Sequence, residues 1–249
     1  MDEDYDIPQL PADTLSLLQQ FNSEKGQRQQ QFESLKTQAE SEYQNGIGKL
    51  SMDIFGEDWN ASQFWYTDDT ARRLAYQLLE DVNEDSAIVV VSAPSVYVQI
   101  RNILSDQTTE IKPPVCLLEY DKRFEVLGKD FIYYDFQHPL TLPAELKGKF
   151  DRIICDPPFL SEDCQTKTAL TVRYLSRSWA PKDDSTDGLR FITCTGERME
   201  PVISKLYNSI GVKTTTFEPK HSKGLSNEFW CYANFECDEW NWRVLDSPV

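Results

Sequence analysis

The stretch that decides the interpretation of this chain is Phe150-Asp151-Arg152-Ile153-Ile154-Cys155-Asp156-Pro157-Pro158-Phe159. Its first part is an apolar run that predicts a strand, and its last four residues end that strand. Neither proline has a backbone N–H, so neither can join a sheet ladder. The proline carbonyls and the Asp156 carboxylate remain as acceptors, which leaves a stiff corner poor in donors. Such a corner suits an amine, whose N–H groups find acceptors; the simpler alternative is a strand followed by a proline turn.

Composition narrows the classes of partner. The net charge of the 249 residues is −16, and no stretch is apolar enough for a membrane span. Gripping a nucleic-acid backbone requires a basic face, which this chain does not show, so the charge favours a basic partner. Its six cysteines include no Cys-x-x-Cys pair and its histidines number two, which argues against a metal site or a disulfide framework. We therefore expect no metal, no membrane, no nucleic acid and a reducing cytoplasm.

The first sixty residues differ from the remainder. Residues 1–60 carry twelve acids against four bases, and the run from Ala12 to about Tyr43 is Gln-rich and free of proline. This pattern predicts an acidic helical extension, broken near Gly26. We expect the second domain to span residues 61–249.

The second domain alternates short apolar runs with helical stretches, which predicts an α/β fold with a mostly parallel sheet covered on both faces. The last two strands have no obvious helix between them, so the final strand is expected to run antiparallel. The predicted strands are 88–91, 115–119, 131–134, 152–155, 189–194, 213–217 and 229–235, and the predicted helices lie near 95–104, 123–128, 161–176 and 198–208.

Ligands of open α/β sheets bind beyond the carboxyl ends of the strands. The first strand ends in Ser92-Ala93-Pro94-Ser95 and the second in Glu119. The third is followed by Asp135-Phe136 and the fourth by Asp156. An acid at the end of the second strand is typical of a nucleoside site, where the carboxylate holds the ribose hydroxyls.

These features together resemble the class I, seven-stranded, Rossmann-like methyltransferases that use S-adenosylmethionine. More narrowly, the chain is similar to the eukaryotic elongation-factor-1-alpha lysine methyltransferases, once catalogued as N6-adenine DNA methyltransferases. The segments that carry the resemblance span most of the chain; they are Gln63-Phe64-Trp65-Tyr66, 91–97, Glu119 to Phe124, Asp156 to Glu162, Cys194-Thr195-Gly196 and Asn227-Glu228-Phe229.

The resemblance implies a catalytic role for the corner at the end of the fourth strand. Asp156 and the Pro157 carbonyl would bind the target amine, and Asp156 would also face the cofactor. Phe159 would pack over the lysine stem or the methyl-bearing centre, where an aromatic face favours positive charge.

The resemblance also implies a cofactor site for S-adenosylmethionine. Glu119 would hold the ribose hydroxyls, while Asp135 and Phe136 would meet the adenine. The segment Trp65-Tyr66-Thr67 would close over the amino-acid end of the cofactor. Ser92-Ala93-Pro94-Ser95 replaces the Gly-x-Gly of the wider superfamily, so other small residues must let the cofactor approach the backbone.

The expected activity is methyl transfer to a lysine ε-amine of elongation factor 1-alpha by a cytoplasmic monomer. One alternative is an N6-adenine nucleic-acid methyltransferase, since an exocyclic amine fits the same corner and Phe159 could stack on a flipped base. Another is a methyltransferase-like fold that only binds. His221 falls in a polar loop, where a surface position is expected, although the resemblance lets that loop touch the substrate.

Overall fold

The structure is a computed structural model that describes most of the second domain. It covers residues 63–106, 111–180, 188–224 and 228–244, together with 50–52, 55 and six helical positions between 14 and 26. Most of the helix predicted over 12–43 lies outside these residues, as do the expected domain boundary near residue 60 and Asn227. The division into two domains therefore stays a prediction.

Seven strands form one sheet with the order β3-β2-β1-β4-β5-β7-β6. Strands β1 to β5 run parallel to one another, while β7 is antiparallel to both β5 and β6. The predicted fold class, including the antiparallel last strand, is confirmed. The bounds are β1 Ile88–Val91, β2 Val115–Glu119, β3 Phe131–Tyr133, β4 Arg152–Cys155, β5 Arg190–Gly196, β6 Lys213–Thr214 and β7 Phe229–Ala233.

Helices cover both faces of this sheet because its central strands are apolar on both sides. Helices α1 and α2 pack with the side chains of one face, and α3 and α4 pack with those of the other. A 3₁₀ segment, Lys122–Asp130, replaces the helix predicted near 123–128. The helices are α1 Asp68–Leu79, α2 Pro94–Asp106, α3 Glu162–Leu175 and α4 Glu200–Tyr207. Within the described part of the chain, none is long and apolar enough to cross a membrane.

Strand β6 is shorter than its sequence predicts. The predicted strand extends to Phe217, but strand pairing ends at Thr214 and Thr215 forms an isolated bridge with Trp242. The C-terminal segment thus covers the free edge of the sheet, and Trp240 is buried against Phe217 and Phe235. Covering an edge protects it from pairing with another chain.

Side-chain caps fix where two of the helices begin. The Thr67 hydroxyl accepts a hydrogen bond from the N–H of Thr70, as its position before α1 predicts. Ser161 does the same for α3 by accepting from Cys164 N–H. Two acids follow each cap, and their negative charge is stabilised by the helix N-terminus. Helix α3 therefore starts directly after the corner that Asp156 begins.

Arg152 joins the sheet to the end of α1. Its guanidinium is fully buried and donates to the carbonyls of Leu78, Glu80 and Asp81, at distances of 3.3, 2.6 and 2.8 Å. The last carbonyls of a helix have no intrahelical partner, so a buried helix end needs donors such as these. This contact sets the position of α1 against β4.

Replacing Arg152 by methionine should lower the free energy of unfolding by about 2–4 kcal/mol, because three carbonyls at the end of α1, of which that of Leu78 is buried, lose a charged donor. The measurement is urea unfolding of the purified chain. Arg177→Met is the control, since the exposed Arg177 also donates to two carbonyls, those of Asp85 and Lys149. Equal losses in the two variants would contradict the assigned role.

Candidate active site

A cavity of about 880 Å³ opens at the carboxyl ends of the parallel strands. It lies where the chain, after building β1, β2 and β3 on one side, returns to place β4 on the other side of β1. Such switch points are where open α/β sheets bind ligands. The backbone at the switch is held by hydrogen bonds from Asp156 N–H to Val91 O and from Ser92 N–H to Leu118 O.

The cavity brings together nearly all of the residues that the sequence predicts for the site. Its lining includes Trp65, Tyr66, Ser92, Ala93, Pro94, Ser95, Glu119, Asp135, Phe136, Asp156, Pro157 and Phe159. Thr67 is not part of the lining, because its hydroxyl caps α1. The fold thus brings the other predicted site residues together, while the binding role of each stays a prediction.

Asp156 lies at the centre of this cavity and accepts a hydrogen bond from the Tyr66 hydroxyl at 2.6 Å. Burial raises the pKa of Asp156 to about 8; the Tyr66 bond opposes that shift, and the charge of Glu119 adds to it. Burial, followed by the nearby Asp156 charge, raises the pKa of Tyr66 well above its ordinary value. Tyr66 thus remains a neutral donor, and the carboxyl is poised to ionise when a cation arrives.

Glu119 is a second buried carboxyl in the same cavity, 7% exposed. Its Oε1 accepts from the backbone N–H groups of Tyr120 and Asp121, at 2.9 and 3.2 Å. Burial raises the pKa of Glu119 to about 7, although these two hydrogen bonds act in the opposite direction. Its other oxygen, Oε2, has no hydrogen-bond partner among the residues that the structure describes, so it is available to accept from a ligand hydroxyl.

The cavity is lined by acidic side chains. Its described lining contains three carboxyl groups, those of Glu119, Asp135 and Asp156, and no lysine or arginine. Asp135 is less buried than Glu119, and its carboxylate accepts from Gln137 N–H. A pocket of this kind favours cationic ligands and disfavours phosphates.

Ser92 has a positive φ of 55° at the end of β1. A conformation of this kind costs a non-glycine residue about 1–3 kcal/mol and is found most often at functional sites. The chain thus keeps a tight turn there without the Gly-x-Gly of the wider superfamily. Pro94 then begins α2, where its fixed φ suits a first helical turn.

Two groups of aromatic rings line the cavity together with Asp156. In the first, Phe136 and Phe159 have centroids 5.5 Å apart, and Phe159 is 43% exposed. In the second, His221 packs between Tyr66 and Phe229, with centroid distances of 4.9 and 4.8 Å. The expectation that His221 is a surface histidine is therefore wrong, because the loop carrying it folds back over the cavity.

Several lining residues were not predicted. His221 and Gly224 come from the loop after β6, which contacts residues 65–67 beside the cavity. Six others lie inside the quoted motifs, so their neighbours were a usable signal; they are Gln63, Phe64, Tyr120, Pro158, Leu160 and Phe229. Tyr134 and Gln137 flank the predicted Asp135 and Phe136.

Asp156→Asn should stabilise the folded chain, and the gain should grow as the pH rises. Because the pKa of Asp156 is about 8 when folded and near 3.8 when unfolded, wild type loses stability between about pH 4 and pH 8. Asparagine has no proton to lose and can still accept from Tyr66. Each unit of displaced pKa corresponds to about 1.4 kcal/mol, an upper figure here because Asp156 is partly open to the cavity.

Urea unfolding at pH 5, 6, 7 and 8 measures this difference. Glu145→Gln, at an exposed position, is the control variant. A stability difference between Asp156→Asn and wild type that is the same at all four pH values would contradict the burial of a titrating Asp156.

Comparisons with known proteins identify the family of this chain. Residues 57–237 match the family described as "Probable N6-adenine methyltransferase". Protein-lysine N-methyltransferase EFM5 of Saccharomyces cerevisiae is 48% identical over 239 residues, covering 93% of each chain. EEF1A lysine methyltransferase 1 of Gallus gallus is 42% identical over 94% of this chain and 97% of its own length, and that of Homo sapiens is 38% identical over 94% and 95%. The chain therefore belongs to this methyltransferase family.

Proposed function

We propose that the chain is an S-adenosylmethionine-dependent protein-lysine N-methyltransferase that modifies a lysine of elongation factor 1-alpha. The observation that carries the proposal is a cavity at the switch point whose described lining has three carboxyl groups and no lysine or arginine. Such a cavity suits both a sulfonium cofactor and an amine substrate. Relatives at 38–48% identity are named for lysine methylation, and in some cases for this elongation factor.

The cavity fits the cofactor in size and in chemistry. Its volume of about 880 Å³ lies in the upper range of ligand pockets. Glu119 Oε2 belongs to a buried residue and has no partner among the described residues, so it can accept from a ribose hydroxyl. Asp135 and Phe136 would flank the adenine, and Trp65 and Tyr66 would cover the amino-acid end. When bound, S-adenosylmethionine supplies a methyl group activated by its sulfonium centre.

Asp156, Tyr66 and Pro157 would prepare the lysine amine. A free lysine has a pKa of about 10.4, so its ammonium must lose a proton before it can act as a nucleophile. Desolvation in the cavity lowers that pKa, and the proton can then leave to solvent. The carboxylate of Asp156 and the carbonyl of Pro157 would accept from the remaining N–H groups, which aims the nitrogen lone pair. The Tyr66 hydroxyl would hold the carboxylate in that orientation.

A second candidate, adenine methylation of nucleic acid, has two observations in its favour. The matching family is described by that activity, and the half-exposed ring of Phe159 offers a stacking face. Against it stand the net charge of −16 and the acidic lining of the cavity, since phosphate contacts supply most nucleic-acid affinity. The third reading, a fold that binds without catalysis, is disfavoured by the three acids that the chain keeps at the cavity.

The proposed setting is the cytoplasm, where a translation factor is available to a monomeric enzyme. All six cysteines are free and four are buried, as expected for a protein that stays reduced. The acidic charge of the chain would steer a basic protein substrate towards it.

The test is transfer of a radiolabelled methyl group to purified elongation factor 1-alpha, with double- and single-stranded DNA offered separately. Asp156→Ala should reduce turnover by about 10²–10³-fold, because the amine loses its charged acceptor, while largely keeping cofactor binding. Asp163→Asn, an exposed acid on α3, is the control and should retain activity.

Label on the elongation factor that is lost when its lysines are blocked supports the proposal. Label on DNA would support adenine methylation of nucleic acid instead. Wild-type turnover by Asp156→Ala would remove Asp156 from the mechanism.

A further inference from the structure

Residues 63–67, which we call the strap, pass beside the cavity immediately before α1. One end of the strap is fastened to the loop after β6. Thr67 N–H donates to Lys220 O at 2.8 Å, and Ser222 donates to Trp65 O through its N–H at 2.9 Å and its hydroxyl at 3.1 Å. This end carries Tyr66, whose hydroxyl reaches Asp156.

The other end of the strap is fastened by Gln63 to the loop after β2. Gln63 Nε2 donates to Asp121 Oδ2 at 2.8 Å, and Arg123 Nη2 donates to Gln63 Oε1 at 2.9 Å. Arg123 closes the triangle by donating from Nε to Asp121 Oδ2 at 2.7 Å, and its N–H donates to Asp121 Oδ1. We call these three residues the latch.

The latch is built from strong interactions. Gln63 is 8% exposed, and both of its partners are charged groups, to which hydrogen bonds are stronger than between neutral groups. Burial acts to raise the pKa of Asp121, but the hydrogen bonds from Arg123 and Gln63 outweigh it and lower that pKa. Asp121 is therefore ionised at neutral pH, and the latch is closed under the conditions in which the cavity would work.

Aromatic packing supports the same end of the strap. Trp65 Nε1 donates to Phe55 O at 2.7 Å, and the Trp65 ring packs edge-on against Phe124. Phe124 follows Arg123 directly and stacks on Phe55, with centroids 4.1 Å apart. Two segments that lie some sixty residues apart in sequence thus interlock beside the cavity.

We propose that Gln63, Asp121 and Arg123 are positioning residues, which hold the strap where Tyr66 meets Asp156. Asp121 and Arg123 do not line the cavity, so they act through other residues, whereas Gln63 also belongs to the lining. The latch also reaches the cofactor side, because Asp121 N–H donates to Glu119 Oε1. Opening it would disturb the contact of Tyr66 with Asp156 and the hydrogen bond that Glu119 accepts. This role rests on the proposed function. It gives a function to Gln63 and Arg123, which lie in two quoted motifs but are not among the predicted catalytic residues.

The chain contains a matched control for the latch. At the opposite end of the sheet, Arg190 donates to Gln77 Oε1 and pairs with Glu80, which repeats the arginine, glutamine and acid of the latch. Gln77 is 7% exposed and does not line the cavity. Gln77→Met removes a hydrogen bond from Arg190, as Gln63→Met removes one from Arg123 together with the bond to Asp121, and the two glutamines are buried to a similar degree.

The experiment compares these two variants by calorimetric titration with S-adenosylmethionine, by methyl-transfer kinetics and by thermal unfolding. Gln63→Met should weaken cofactor binding about ten-fold, the loss expected for one hydrogen bond to a charged group, and should also lower kcat. Gln77→Met should lose similar thermal stability with cofactor affinity and kcat unchanged. Equal cofactor affinities in the two variants would overturn the proposal and leave the latch a structural contact.

Hydrogen exchange gives a readout that needs no ligand. The amides of Thr67 and Ser222, which fasten the strap, should exchange faster in Gln63→Met than in Gln77→Met. Unchanged exchange would overturn the latch, whereas failure of the wild type to bind cofactor would count against the proposed function alone.

Arg123→Lys, measured in the same assays, tests the latch without changing the lining of the cavity, to which Gln63 belongs and Arg123 does not. Lysine keeps the charge beside Asp121 but lacks the planar fork that serves Asp121 and Gln63 together. We expect Arg123→Lys to fold and its Thr67 amide to exchange faster than in wild type. Exchange at the wild-type rate would overturn the proposal.

Discussion

The hydrogen bond from Tyr66 to Asp156 joins the segment before α1 to the end of β4, and the shape of the cavity depends on it. Asp156 is placed by the sheet, since its N–H pairs with Val91 O at the switch between β1 and β4. Tyr66 is placed by loops that arrive from both sides of the site. The bond therefore fixes a connecting segment, the strap, to the central sheet. An amine entering the cavity would meet a carboxyl whose direction is already set.

The buried carboxyl groups make the site prefer cationic ligands, and they also lower the stability of the fold. Glu119 and Asp156 are buried near each other, and the described lining offers no cation to compensate them, so burial raises the pKa of both. Uncompensated buried carboxyls weaken a fold at neutral pH. The same carboxyls become favourable when a sulfonium or an ammonium enters. The strained φ of Ser92 at the end of β1 is a further local cost borne at the same place.

Much of the fold could be predicted because the central strands are continuous apolar runs. The bounds of β1, β2 and β4 agree with the sequence prediction, since burial on both faces leaves no other reading of those residues. Agreement falls at the edge of the sheet, where β6 ends three residues early because Trp242 takes over the pairing. The edge is decided by a distant segment, which local pattern does not reveal.

The sequence by itself determined the chemistry: acids at the ends of strands, a donor-poor proline corner and a net negative charge are all written in the order of residues. The tertiary structure alone decided how these groups meet. Local pattern placed Gln63 and Arg123 in separate motifs and His221 on the surface, whereas the fold brings the first two into contact and packs His221 between Tyr66 and Phe229. The reason is physical, because hydrogen bonds and ring contacts between distant segments depend on sheet order and loop path, which no periodicity along the chain encodes.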